Sequence, residues 1–177
     1  MLYSKWDNRR AQGDLRLVSL SDDQGSVVLD APQSWPREEF EIDVEGHTWK
    51  ITATDTTLTA VLPDAKVYVA EAGEKKFSRA KRIELMLNSP VVAENEQKND
   101  WVYVDENDNK LGQFSGGNNG VRTSITEFEP GNELTFNEQV FMSLVSRRVL
   151  ESRMNSSTLI LTVSLLILTP IIILFAL

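Results

Sequence analysis

Hydrophobic and polar residues alternate along residues 15–128 in short runs separated by turn-forming residues. The clearest unit is Phe40-Glu41-Ile42-Asp43-Val44, then Glu45-Gly46, then His47-Thr48-Trp49-Lys50-Ile51. A two-residue turn at Glu45-Gly46 pairs Val44 with His47, Ile42 with Trp49 and Phe40 with Ile51. All six then share one face, while Glu41 meets Lys50 on the other, so alternation, turn and cross-strand charge all specify a β-hairpin. Similar runs at 15–20, 26–29, 58–62, 66–70, 82–87, 101–104, 110–114 and 121–128 predict further strands. In 82–87, for example, Ile83, Leu85 and Leu87 oppose Arg82, Glu84 and Met86. About ten short strands with short turns predict a mainly β chain, an antiparallel β-barrel or sandwich. The alternating strand–helix pattern of a parallel nucleotide-binding sheet is absent from the sequence.

After Pro130-Gly131 the period lengthens. Thr135 and Glu138 have the spacing of a capping box. Phe141, Leu144, Val145 and Val149 follow as one helical stripe, with Ser143, Arg147 and Glu151 away from it. This predicts an amphipathic helix to about Arg153, packed on the β-domain or laid on a membrane or partner.

The pattern changes again at Thr158. TLILTVSLLILTPIIILFAL holds 20 residues without a charge. A helix rises about 1.5 Å per residue and a bilayer core is roughly 30 Å thick, so this length crosses once. Within lipid every backbone amide must bond inside its own segment, which a single span achieves only as a helix. The predicted anchor includes Leu159, Leu161, Leu165, Ile167, Pro170, Ile172 and Phe175, with Pro170 kinking or loosening one turn. Thr158, Thr162, Ser164 and Thr169 offer small polar groups for packing against other spans. The competing fate is burial of this helix as the core of its own barrel. The amphipathic helix joins this one either directly or through a break at Asn155-Ser156-Ser157, which reads as a helix cap.

Three segments follow: a β-rich domain at 1–131, an amphipathic helix at 132–153 and a C-terminal anchor at 154–177. Arg147, Arg148 and Arg153 precede the apolar stretch and no Lys or Arg follows it. The positive-inside rule therefore places the β-domain in the cytoplasm, as a tail-anchored protein. The first residues, MLYSKWDNRR, lack the apolar core of a secretory signal. The chain has no cysteine, so nothing marks an oxidising compartment.

Charge narrows the partners. All 18 basic and 26 acidic residues precede the apolar tail, for a net charge of −8. Phosphate binding needs a clustered basic surface, so nucleic acid is not an expected partner. His47 is the only histidine, and the hairpin register places it on the apolar face as a packed side chain. No metal or cofactor site and no catalytic residue is expected, because metal and nucleophile chemistry require several convergent groups. Asp105-Glu106-Asn107-Asp108-Asn109 opens like a calcium loop but has Lys110 where glycine is needed and Gly116 where glutamate is needed. A turn whose side chains bond their own backbone is the expected form. The glycine-rich run 112–120 lacks the Gly-Lys-Ser/Thr end of a phosphate loop and reads as a hairpin loop. Lys75, Lys76, Arg79, Lys81 and Arg82 form a basic cluster in an acidic domain. It is either a solvated face or a contact for lipid headgroups or an acidic partner.

Asp100-Trp101-Val102-Tyr103-Val104-Asp105, Lys110-Leu111-Gly112-Gln113-Phe114 and the helix over 138–151 together resemble the tubby C-terminal superfamily, which includes LURP-one and phospholipid-scramblase relatives. Over residues 40–153 the resemblance implies a closed barrel around a central helix. It implies lipid binding as well, for which the Lys75–Arg82 cluster is the candidate. Here an amphipathic helix comes first and a separate span follows, so the first would fill the barrel and the second anchor it.

The expected function is a non-catalytic tail-anchored accessory or assembly subunit. It would dock on a larger integral membrane complex, for which a bacterial respiratory cytochrome complex is the first guess. The alternative is a membrane-tethered module that binds headgroups or an acidic partner. An enzyme working with carboxylates alone is a third class.

Overall fold

The computed structural model describes residues 1–13, 15–36, 38–97, 99–115 and 124–176, with the side chains of 8–10, 12, 15, 154–161, 163 and 168–176 outside that description. The hairpin forms in the expected register: Phe40 faces Ile51, Ile42 faces Trp49, Val44 faces His47 and Glu41 faces Lys50. Both turn residues have positive φ, 51° at Glu45 and 80° at Gly46, as a two-residue hairpin turn of matching twist requires. Asp43 Oδ1 accepts the Gly46 amide at 2.7 Å and holds the turn closed.

Twelve strands of this kind follow in order. They are β1 (Tyr3–Gln12), β2 (Leu15–Ser21), β3 (Val27–Pro32), β4 (Phe40–Val44), β5 (His47–Ala53) and β6 (Thr57–Val61), then β7 (Val67–Glu71), β8 (Arg82–Met86), β9 (Pro90–Gln97), β10 (Asp100–Val104), β11 (Lys110–Ser115) and β12 (Ser124–Phe128). Each pairs antiparallel with its sequence neighbour, and β1 pairs with β12 to close the barrel. Closure leaves no sheet edge for another chain to extend. The fold is thus a barrel rather than a sandwich. Two strands exceed the sequence reading, β1 and β9, and residues 121–123 of the last expected strand lie outside the described residues.

Burial alternates along the strands. In β5, Trp49, Ile51 and Ala53 point inward while Thr48, Lys50 and Thr52 stay exposed. His47 is exposed too. It does not pack inside as expected, because it sits at the turn end of the hairpin, beyond the core layer. Alternation sets the face, but height in the barrel sets whether that face is covered.

The inward positions are partly small: Ala31, Ala53, Ala60, Ala70 and Ala93 are buried among Trp6, Trp49, Trp101 and Tyr103. These small residues make room for a helix. Gly112 is small for another reason: a Cβ there would lie 2.4 Å from the Glu127 carbonyl oxygen of the neighbouring strand. That helix, α1 (Phe136–Ala176), starts from the capping box: the Thr135 amide donates to Glu138 Oε2 at 2.8 Å, and Thr135 Oγ1 does so at 2.7 Å.

Partners from around the barrel show that α1 runs through its centre. Trp6 Nε1 on β1 donates to the Ser143 carbonyl at 2.9 Å. Tyr103 OH on β10 donates to the Met142 carbonyl at 2.8 Å, Thr126 Oγ1 on β12 to Ser146 Oγ at 2.9 Å, and the Tyr68 ring on β7 lies 5.6 Å from that of Phe141, tilted by 58°. Val140, Phe141, Met142, Leu144, Val145 and Val149 are fully buried. So are Ser143 and Ser146, and Arg147 is nearly so. The predicted polar side of the helix is therefore not a solvent face. The two serines bond back to the Gln139 and Met142 carbonyls, at 2.7 and 2.9 Å, and need no water.

The two helical stretches join directly, one of the two expected forms, into a single helix. Its backbone stays helical through Asn155-Ser156-Ser157 and Pro170, so the cap read at 155–157 is not formed. At about 1.5 Å per residue, the stretch 136–153 is about 27 Å long and spans the barrel, and the remainder extends past it. On that remainder Leu165, Leu166 and Ile167 are 60, 69 and 59% exposed. Among the described residues no helix is long and apolar enough to cross a membrane. The side chains of Leu159, Leu161, Pro170, Ile172 and Phe175, five of the predicted anchor residues, lie outside the described residues.

Candidate functional site: the rim where the helix leaves the barrel

Because the strands run up and down in sequence order, the connections fall into two sets. One set surrounds the start of α1 (the basal end): 22–26, 45–46, 62–66, 87–89, 105–109 and 129–135. The other surrounds its departure (the exit rim): it includes 33–39, 54–56 and 72–81.

At the exit rim three helix arginines each grip a connection. Arg147 Nη2 donates to the Pro32 and Gln33 carbonyls at 2.6 and 3.0 Å, and its Nε pairs with Glu151 at 2.7 Å. Its guanidinium lies 4.6 Å from the Trp6 ring and 5.2 Å from Trp35, while Trp35 Nε1 donates to Glu151. Arg148 Nη2 reaches the Thr54 carbonyl at 2.6 Å. Arg153 Nη2 reaches the Ala80 carbonyl at 2.9 Å and sits 4.8 Å from the Trp101 ring. Burial lowers the pKa of Arg148 and of Arg153 from the ordinary value. These are the residues read as the charges flanking a span. In the fold they act as clamps between helix and barrel mouth, a role whose partners lie far away in sequence. Trp35 and Asp55, which were not singled out from the sequence, join them, as does Glu151, read only as part of the helix's polar side. The only local signal was the four-residue spacing of Arg147 and Glu151.

The basic cluster divides. Lys81, last in the β7–β8 connection, turns its Nζ to Asn95 Oδ1 on β9 at 2.8 Å, and Arg82 pairs along the outer wall with Glu94 at 2.5 Å and Glu84 at 3.7 Å. Lys75, Lys76 and Arg79 occupy the β7–β8 connection on the rim. That connection is built, with Phe77 fully buried, the Phe77 amide on the Asp55 carbonyl at 2.9 Å, and the Arg79 and Ala80 amides on the Lys76 carbonyl at 2.8 and 2.9 Å. Burying Phe77 turns the three cations outward. Lys76 pairs with Asp55 at 2.7 Å, whereas Lys75 and Arg79 make no ion pair among the described residues. Glu74, Glu38 and Glu39 share the rim, and Glu39 lies 3.8 Å from Lys50.

The basal end is different. Its connections carry Asp22, Asp23 and Glu45, then Asp64 with Lys66, then Asp105, Glu106 and Asp108, and finally Glu129 and Glu133. Several of these acids hold their own turns. Asp22 Oδ1 accepts the Gln24 and Ser26 amides at 3.0 and 2.7 Å. Asp105 accepts the Asn107 and Asn109 amides at 2.8 and 2.9 Å and Asn109 Nδ2 at 2.9 Å, and the bonds from Asn109 hold its carboxyl below the usual range. The segment at 105–109 is thus the self-bonded turn expected, and among the described residues no group of three or more His, Cys, Asp or Glu could hold a metal ion. Residues 116–120 of the glycine-rich run lie outside the described residues.

No protein-family model, no curated protein and no solved structure matches this chain.

Proposed function

We propose that this protein is a non-catalytic barrel, held to the membrane by the helix that leaves it, that docks on and steadies a larger integral membrane complex, with its barrel in the cytoplasm. The observation that carries the reading is the continuity of α1: one helix is the core of the barrel and then extends past the rim with Leu165, Leu166 and Ile167 exposed. Contiguous apolar surface of this kind is costly in water and marks an interaction site. The uncharged sequence from Thr158 makes lipid, and other spans within it, the fitting environment. The non-catalytic part draws support from the lumen. Barrels that bind small molecules do so in an interior cavity or its mouth, and here Phe141, Val145 and Val149 occupy the interior.

Two steps test this on the full chain. Membranes from expressing cells are washed with alkaline carbonate, and the protein is expected to stay in the pellet. A Leu165→Arg, Leu166→Arg double substitution should move it to the supernatant, since each arginine at the centre of a span costs about 3 kcal/mol on insertion scales. Wild-type protein in the supernatant would refute the anchor. Solubilised in mild detergent and run on a native gel, the protein should migrate within a larger assembly. A haem-containing band would identify a cytochrome partner. Migration as a lone chain of 20.0 kDa would refute the docking role.

A further inference from the structure

We infer that the exit rim is a bilayer-facing surface, and that Lys75, Lys76 and Arg79 on the β7–β8 connection rest on anionic lipid headgroups. This rests on the anchored reading above and adds which face of the barrel meets the membrane and through which residues. Three observations converge on it.

The first is position. Arg153 binds the Ala80 carbonyl at 2.9 Å, so the basic connection is fastened to the last turn of the helix before it leaves the barrel. From Arg153, the last charged residue, to Thr158, where the apolar run begins, the helix climbs about 7.5 Å. The headgroup layer on each side of a bilayer is about 5–7 Å deep. A connection fixed at the level of Arg153 therefore stands at the outer edge of the headgroups. Long lysine and arginine side chains reach across the remainder.

The second is orientation of the side chains. The buried Phe77 and Ala80 pin the connection to the barrel, which leaves Lys75, Lys76 and Arg79 exposed. Among the described residues only Lys76 of the three is engaged by an acid, Asp55, and that exposed pair is weak enough to be exchanged for a phosphate or carboxylate headgroup.

The third is contrast. The basal end, almost wholly acidic, would be repelled by an anionic leaflet, so the charge pattern resists inversion or tilting of the barrel on its anchor. Such attraction acts within a screening length of about 8 Å at physiological salt, which matches the gap that the helix sets. An anionic leaflet supplies one uniform charged plane at a fixed height. An acidic protein partner would have no reason to be tied to the helix exit.

The absence of cysteine makes the test direct. Single substitutions Ser78→Cys at the rim and Gln24→Cys at the basal end are labelled with an environment-sensitive fluorophore on the full chain. The protein is reconstituted in phosphatidylcholine vesicles, or in vesicles with a third of that lipid replaced by phosphatidylserine, each carrying a headgroup-level quencher. The Ser78→Cys label should be quenched more in the anionic vesicles, and raising the salt should reverse the difference. Lys75→Glu, Lys76→Glu and Arg79→Glu together should abolish it, with roughly a fivefold loss of rim–surface association per cation removed. Lys75→Arg with Lys76→Arg should preserve it. The Gln24→Cys label should remain unquenched throughout. Equal quenching at Ser78→Cys in neutral and anionic vesicles, no effect of the charge reversal, or quenching of the basal label instead would each overturn the inference. Carbonate resistance of the same samples separates the two readings. Protein that washes off defeats the anchor and this inference with it, whereas protein that stays bound with an unresponsive rim label defeats this inference alone.

Discussion

The two stretches of α1 are one continuous helix with opposite surroundings. From Val140 to Val149 the side chains are enclosed by strands on every side, and the polar ones are bonded. Past Arg153 the same helix presents Leu165, Leu166 and Ile167 to the outside. Hydrophobicity alone does not decide which stretch the barrel takes in. The enclosed stretch carries Ser143, Ser146 and Arg147, whose bonds to Ser4, Tyr103, Thr126 and the Pro32 carbonyl fix its height and rotation. A wholly apolar helix would fill the lumen without a register. Polar groups with named partners mark the core half, and the uncharged run from Thr158 marks the half we assign to lipid.

The sharpest way to break this comparison is to truncate one apolar side chain in each half. Phe141→Ala leaves a cavity against Tyr68 and should destabilise the barrel by about 4 kcal/mol in denaturant titrations of the detergent-solubilised protein. Leu165→Ala should leave the same transition unmoved. Equal losses would mean the outer half is packed on the barrel after all.

Next in size is Arg147→Met. It removes the donor to two rim carbonyls and leaves Glu151 without its arginine, at a cost of about 3 kcal/mol in the same titration. The partial exposure of Glu151 keeps this at the lower part of the range for a broken buried pair. If the variant unfolds at the wild-type midpoint, the clamp is ornamental.

The smallest effect concerns the registration of the helix. Tyr103→Phe deletes hydrogen bonds to Met142 and Ser146 and should cost about 1 kcal/mol near neutral pH. Burial raises the phenol pKa well above its ordinary value of 10.0. The folded state thus holds that proton more tightly than the unfolded chain. Its contribution is whole below pH 10 and declines as the pH rises beyond. Tyr103→Phe should flatten that alkaline decline, as measured by midpoints across a pH series. An unchanged slope would mean Tyr103 is accessible to hydroxide in the folded state.

Much of the barrel was legible because its information is local. The β4–β5 register follows from Glu45-Gly46 and the alternation on either side. The capping box at Thr135 and Glu138 and the Asp105 turn were likewise readable from neighbouring residues. β1 was not. Its inward positions Ser4 and Trp6 include a hydroxyl whose partner, Ser143, lies 139 residues away, and its pairing with β2 slips between Asp7 and Arg10. β9 opens with Pro90 and ends in Glu94-Asn95-Glu96-Gln97, so only Val91 and Ala93 supply an apolar face. The basic cluster was visible, but its division was not. Whether a cation sits on the rim or on the wall depends on where β8 begins, at Arg82. The arginines before the apolar stretch read as topology signals because nothing nearby in sequence announces the carbonyls they bind.

Hydrogen exchange of the full chain in lipid nanodiscs, read by mass spectrometry, tests most directly that a single helix serves the barrel first and the membrane second. Slow exchange is expected over 136–153 and again over 158–176, with protection of the second stretch lost when lipid is removed and that of the first retained. Rapid exchange over 158–176 in the presence of lipid, or protection there that survives delipidation, would contradict the account.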